Sequence, residues 1–242
     1  MPSAKISPAP AWKAALLVFR DFPSSQVALG LFAPVEAVRY RVLYNMTSAD
    51  FEPFVFEAEV GGNSIALVTR CVWGGPQTAI LVEELAALGV RTIVGYGVAG
   101  SLDPELPQGS FVVAASALPT DGTSKAYAGD TALAPDRELK QAAIAAAEEV
   151  GCPLRPVMAA TVDALYRETP ELVEHFRESG AQVIQMECSP LYAVSRACGV
   201  RSVWLGYVTD CLVGGQWHDW SRPIPNANEN AIRICHQLLR AL

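Results

Sequence analysis

Residues 93–115 read IVGYGVAGSLDPELPQGSFVVAA, and this stretch decides what kind of α/β protein the chain is. The β-branched run Arg91–Val94 predicts a strand, and Gly95-Tyr-Gly97-Val-Ala-Gly100 after it spells G-x-G-x-x-G. Asp121 follows at about the distance of a dinucleotide fold's ribose-binding acid. That motif requires a helix to start at the glycines, because the pyrophosphate sits on its N-terminus. Here Pro104, Pro107 and Gly109 follow instead and forbid a helix long enough to cross a sheet. A second strand, Phe111–Ala115, comes next. The glycines therefore let the backbone approach something closely, and we expect a ligand there; the alternative is a tight turn.

Working outward, further strands are predicted at Ala15–Phe19, Phe54–Glu59, Ser64–Thr69, Val157–Ala160, Val183–Met186 and Val203–Val208. Helical spacing marks Gln77–Leu88, Asp136–Val150, Thr169–Ser179, Ser189–Cys198 and Asn226–Leu242. Asp136 and Thr169 are suited to N-caps, Pro170 to a first helical position, and Gly89 and Gly151 to C-caps. Strands alternating with helices predict a sheet with helices on its faces. The hairpin-like pair around Val60-Gly-Gly-Asn63 makes that sheet mixed. We expect a lead-in at residues 1–12 and one domain over residues 13–242.

Composition removes several functions. The 242 residues carry 18 Lys and Arg against 25 Asp and Glu, a net charge of −7, so nucleic acid and anionic membrane surfaces offer no long-range attraction. The longest uncharged runs, Phe22–Val35 and Leu106–Thr120, fall short of the ~18 residues of a membrane span. Ala14–Phe19 is too short for a signal segment, and Arg20-Asp21 closes it. The six cysteines form no CxxC and the three histidines no ligand spacing, so we expect reduced thiols, no metal and a cytoplasmic location.

Several blocks together resemble the nucleoside phosphorylase and nucleosidase family. They are the strand–glycine–strand block from Ile93 to Ser124, the Trp73-Gly-Gly-Pro76 loop, and Asp163-Ala-Leu165-Tyr166. Gln185-Met-Glu187 opening a helix and Val208-Thr-Asp210 ending a strand complete the set, in family order. The resemblance implies a three-layer αβα sandwich around a mixed, partly barrel-like sheet. It also implies cleavage of the N-glycosidic bond of a nucleoside in a homo-oligomer (dimer, trimer or hexamer), with no cofactor.

The chemistry needs a grip on the sugar diol, a proton for the departing base and a positioned nucleophile. By resemblance Glu187 takes the first role, with Met186 and Trp73 against the sugar. An ionised carboxylate accepts two hydroxyl hydrogen bonds, each worth about 1.5–3 kcal/mol. Without the other blocks Glu187 reads as an exposed carboxylate at a helix start. Asp210 takes the second role as general acid, which tilts the base towards a purine. Leu165, Tyr166 and Gly100 are expected at the base, and Trp217-His218-Asp219-Trp220 as a lid or a pinned loop.

The third role divides the readings. Family phosphorylases carry an Arg and a Ser or Thr where this chain has Gly95 and Val98. Phosphate calls for fixed cationic donors. Either Arg20, Arg70 or Arg222 supplies the charge beside Gly97 and Val98, with inorganic phosphate as co-substrate, or water is the nucleophile. A non-catalytic nucleoside binder is the further alternative, motivated also by Gln185, where many members carry Glu.

Overall fold

The computed structural model describes residues 11–19, 22–33, 35–37, 54–71, 74–212 and 224–242. Trp73, Arg20, Arg222, the segment 217–220 and most of the expected lead-in lie outside these residues.

The described strands are β1 (Ala14–Val18), β2 (Val35–Ala37), β3 (Phe54–Val60), β4 (Asn63–Thr69), β5 (Thr92–Ser101), β6 (Phe111–Leu118), β7 (Arg155–Thr161), β8 (Val183–Gln185) and β9 (Arg201–Cys211). The helices are α1 (Phe22–Leu31), α2 (Gly75–Ala87), α3 (Gly122–Ala128), α4 (Arg137–Val150), α5 (Pro170–Glu178), α6 (Cys188–Ala197) and α7 (Ala227–Arg240). Strand order is β2-β3-β4-β1-β5-β8-β7-β6-β9, and β9 also pairs with β5. Five strands, β5, β8, β7, β6 and β9, therefore close into a barrel, and the other four extend from it as a wing. The sheet is mixed: β1 runs parallel to β4 and β5, while β3 pairs antiparallel with β4 through the Gly61-Gly62 turn. Both turn glycines have positive φ, which suits the twist of a two-residue hairpin.

Two cores flank the sheet, giving the expected three layers. Leu81, Val82 and Leu85 of α2 and Leu191 and Val194 of α6 pack on one face. Ala28 of α1, Leu139 and Ala143 of α4, and Ile234 and Leu238 of α7 pack on the other. Capping follows the residue types: Asp136 accepts from Leu139 N at 2.9 Å, and Thr169 accepts from Leu172 N. Gly151 ends α4 in the left-handed region.

The strand through the glycines differs from the expectation. β5 does not stop at Val94 but runs to Ser101, and none of Gly95, Gly97 and Gly100 has positive φ. These glycines serve space rather than backbone freedom, and what approaches Gly95 and Gly97 is the fully buried indole of Trp204. A Cβ on Gly97 would lie 3.2 Å from Trp204 Nε1. One on Gly95 would lie 2.7 Å from Leu191 Cδ2, 3.2 Å from Phe19 Cε2 and 3.4 Å from Trp204 Cδ1. The expected ligand approach is thus, at these two positions, a side-chain packing contact. No helix follows the glycines, and Asp121 caps α3 by accepting from Ser124 N at 2.7 Å, so the dinucleotide reading has no footing.

The barrel closes where β5 and β9 touch most tightly. A Cβ on Gly206 would sit 2.6 Å from the Gly97 carbonyl oxygen and 2.7 Å from Trp204 Cη2. A backbone atom cannot step aside as a side-chain tip can. Gly206→Ala should therefore lower stability by about 1–3 kcal/mol. Gly30→Ala, at an exposed position of α1 where nothing lies within 4 Å, should be neutral or stabilising by about 0.5 kcal/mol. Urea denaturation of the two variants checks both values.

Candidate active site

Four neighbouring strands deliver their ends to one stretch of the barrel rim. Thr161 of β7 pairs with Gln185 of β8, Ile184 of β8 pairs with Gly100 of β5, and Gly100 pairs with Asp210 of β9. At Gly100 the β5–β9 register shifts. Ala99 opposes Val208 but Gly100 opposes Asp210, so Thr209 is an extra, bulged residue. A bulge re-aims the side chain that follows it. The Thr209 hydroxyl donates to Asp210 Oδ1 at 2.7 Å, fixing the carboxylate. Gly100 leaves the space this needs, since a Cβ there would come 3.1 Å from Asp210 Oδ2. Asp210 is half-buried, and burial raises its carboxyl above the ordinary range, partly offset by the Thr209 bond. A carboxyl that holds its proton can act as an acid at neutral pH.

Glu187 follows β8 at the start of α6. It is 4% exposed, so the reading of an exposed helix-start carboxylate is overturned. Its Oε1 accepts from Gly74 N at 3.1 Å, which joins the Gly74-Gly-Pro76 loop to the Gln185-Met-Glu187 block across 113 positions of sequence. Gly74 has φ +104, a conformation in which a side chain would be strained, and Pro76 opens α2 directly behind it. Burial pushes the Glu187 carboxyl up to about 7, against the lowering effect of the Gly74 and Met186 backbone donors. Met186 is half-buried and packs against the core cluster that includes Ile184 and Leu212.

Gln185, the departure from the family pattern, has a structural task. Its Oε1 accepts from Cys188 N at 2.7 Å and from Glu187 N, capping α6. Its Nε2 donates to Ala160 O at 3.2 Å, reaching β7. An amide supplies the donor and the acceptor this bridge needs, whereas an ionised carboxylate only accepts. Ser189 ties the same helix start to Leu118 O at 2.7 Å and to Thr161 Oγ1, which donates to Ser189 Oγ at 2.8 Å. Glu187 is therefore held between fixed neighbours.

The remaining sequence-derived residues separate. Gly100 is beside Asp210, and Gly97 lies against Trp204. The Val98 side chain turns into the α1–α4–α7 core, so it faces away from the α2–α6 side. Leu165 is half-buried in a single 3-10 turn, Leu165–Arg167. Tyr166 in that turn is 91% exposed. Arg70 directly follows β4 with φ +58, its N–H donating to Ser25 Oγ at 3.2 Å. Sequence reasoning missed Glu168 and Thr209. Glu168 is half-buried after the 3-10 turn, and its carboxyl is pushed up to about 7 by burial first and by the Asp210 charge second. A Glu directly before a Thr-Pro helix start was the only signal available. Among the described residues, no group of His, Cys, Asp and Glu is arranged to hold a metal ion, and no helix is long and apolar enough to cross a membrane.

A buried, weakly compensated carboxylate destabilises the fold. Glu187 binds its proton more tightly folded than unfolded, so its contribution is fully present below the ordinary 4.5 and is lost as pH rises through about 7. Above that pH the ionised form costs on the order of 3 kcal/mol. Glu187→Gln keeps an oxygen for Gly74 N, so it should melt above the wild type at about pH 8, with the gap narrowing towards about pH 5. Thermal melts across this range check the sign.

With the geometry in hand, comparison with known proteins is direct. Residues 45–242 match the phosphorylase superfamily. The chain is 30% identical over 195 residues to the guanosine phosphorylase of Halorubrum lacusprofundi, covering 78% of this chain and 80% of that protein. It is 27% identical over 208 residues to the uridine phosphorylase of Escherichia coli, covering 77% and 79%. The fold superposes on the crystal structure of Toxoplasma gondii purine nucleoside phosphorylase in complex with immucillin-H with a TM-score of 0.81 at 23% identity, covering 96% of this chain and 92% of that one. A closed five-stranded barrel carrying Glu187 and Asp210 on adjoining rim segments, together with this match over most of the sequence, places the chain in the phosphorylase superfamily.

Proposed function

We propose that the protein is a pentosyltransferase that cleaves the N-glycosidic bond of a nucleoside with a purine-type base, by phosphorolysis. The observation that carries this reading is the pair of raised-pKa carboxyls, Asp210 on β9 and Glu187 just beyond the end of β8, the two strands that pair with Gly100. As the bond from the sugar C1′ to the base nitrogen breaks, its electron pair goes to the base. Asp210 gives its proton to a ring nitrogen of that base. A phosphate oxygen bonds C1′ and yields the sugar 1-phosphate, and Asp210 regains a proton from solvent. Glu187 loses its proton on binding and accepts hydrogen bonds from the sugar hydroxyls, and Met186 covers the sugar's apolar face. Developing positive charge on the sugar is stabilised by ionised Glu187. General acid assistance of this type contributes about 10²–10⁴ in rate.

One observation favours water as nucleophile instead. The space beside Gly95, where family phosphorylases carry an arginine, is filled by Leu191, Phe19 and Trp204. These offer no positive charge. Under phosphorolysis the anion charge has to come from elsewhere, and Arg70, directly after β4, is one candidate.

Incubation of the protein with a nucleoside panel separates the readings. Phosphorolysis predicts free base and sugar 1-phosphate only when phosphate is added; base released equally without phosphate establishes hydrolysis. No base from any nucleoside overturns both. Asp210→Asn should lower kcat by about 10²-fold or more with KM little changed, and full activity in that variant would remove the assigned acid.

A further inference from the structure

We propose that Gln108 is a positioning residue for the proton donor: its side-chain amide, reaching from the loop between β5 and β6, holds the bulge in β9 that aims Asp210. The inference rests on the nucleoside reading above and deepens it by naming what keeps that acid in place.

The register shift is the starting point. In a bulge the extra residue drops out of the ladder, and its backbone groups need other partners. Thr209 is that residue, and its carbonyl oxygen accepts from Gln108 Nε2 at 2.7 Å, across 101 positions of sequence. The same loop grips β9 one residue earlier. Gly109 N donates to Val208 O at 2.8 Å, and Val208 N donates to Ser110 O at 2.9 Å. Residues 108–110 therefore clamp β9 immediately before Asp210. On the β5 side the Thr209 hydroxyl lies 3.4 Å from Ala99 O and donates to Asp210 Oδ1. A single residue, held through its carbonyl by Gln108, sets the direction of the carboxyl.

The loop that presents Gln108 is itself fixed. Ser110 N donates to Pro107 O at 3.1 Å, and Gly109 has φ +89, the pattern of a type II turn with Gln108 and Gly109 at its centre. This is the Pro-Gly segment that excluded a dinucleotide helix. Before the turn, Leu106 is buried and its N–H donates to Asp103 O at 3.0 Å. Arg155 reaches Glu105 O at 2.7 Å and Asp103 Oδ2 at 3.2 Å. The Gln108 side chain is exposed, so replacing it costs the fold little. Its effect is local, on the residue it holds. Among the described residues the charged group that faces Asp210 is Glu168. The side chains that meet it at Gly100, Leu212 and Ile184, carry no charge.

The test compares Gln108→Met, which keeps the length and loses the donor, with Gln108→Lys, which keeps a donor. Gln108→Met should lower kcat at least about tenfold with KM within about twofold of wild type, because a misdirected acid acts on the proton transfer and not on binding. Its melting temperature should stay within about 2 °C of wild type. Gln108→Lys should recover kcat to within about threefold of wild type. A bulge set free also loosens the Thr209 bond that lowers the Asp210 carboxyl. A 13C titration of the aspartate carboxyls, with Asp210→Asn identifying the resonance, should therefore show Asp210 titrating at higher pH in Gln108→Met than in wild type. That readout needs no turnover. An unchanged Asp210 titration in Gln108→Met overturns the inference, as does an active Gln108→Met enzyme with kcat within about threefold of wild type, or an equal loss in Gln108→Lys. A shifted titration in a protein that releases base from no nucleoside retains the brace on Asp210 and loses the catalytic reading.

Discussion

The close approach of β5 and β9 is the constraint on which the rest of the molecule depends. These two strands pair from Thr92↔Arg201 to Ser101↔Cys211, and without that pairing the sheet would be open. The approach is possible because Gly95, Gly97 and Gly206 leave room for one large indole, Trp204, with no exposed surface. A buried Trp supplies much apolar area, and the missing Cβ atoms let backbone and ring meet directly. The same pairing then breaks register by one residue at Thr209. That defect, at the end of an otherwise continuous ladder, turns Asp210 out of the regular alternation and places it beside Gly100.

The site is built from groups that weaken the fold. Glu187 is surrounded by protein and held by backbone donors, Asp210 by one hydroxyl, and Glu168 by nothing described. Burial raises all three carboxyls above their ordinary range. Their surroundings, by contrast, are saturated. Gln185, Thr161 and Ser189 use their polar atoms on each other, on α6 and on β7. Rigidity in the supporting groups and unmet capacity in the carboxylates are what the proposed function requires of its site. On the opposite face, Glu149, Glu229, Arg233 and Gln237 line a separate cavity of about 620 Å³, but there Arg233 pairs with Glu229 and Gln237 with Glu149, so that polar capacity is already spent.

Much of this architecture was legible in the chain. Pro104 and Pro107 excluded a dinucleotide fold, and the Gly-Gly hairpin made the sheet mixed. Caps at Asp136 and Thr169 placed two helices within a residue. The order of the Gly-rich, Met-Glu and Thr-Asp blocks pointed to the family that the comparisons show. Less legible were α1 and α3, which carry weak or short periodicity, and the true length of β5, where glycine reads as a strand terminator.

Local residue types thus determined most of the elements, because caps, turns and apolar spacing act over a few positions. Which neighbours those residues meet was decided by the folded chain alone. Glycine spacing does not say whether a ligand or Trp204 occupies the vacated volume, and of Tyr166 and Glu168, two positions apart, one is exposed and the other half-buried. Those outcomes depend on contacts across more than a hundred residues, such as Gly74 to Glu187, and on a one-residue register shift that no local pattern encodes.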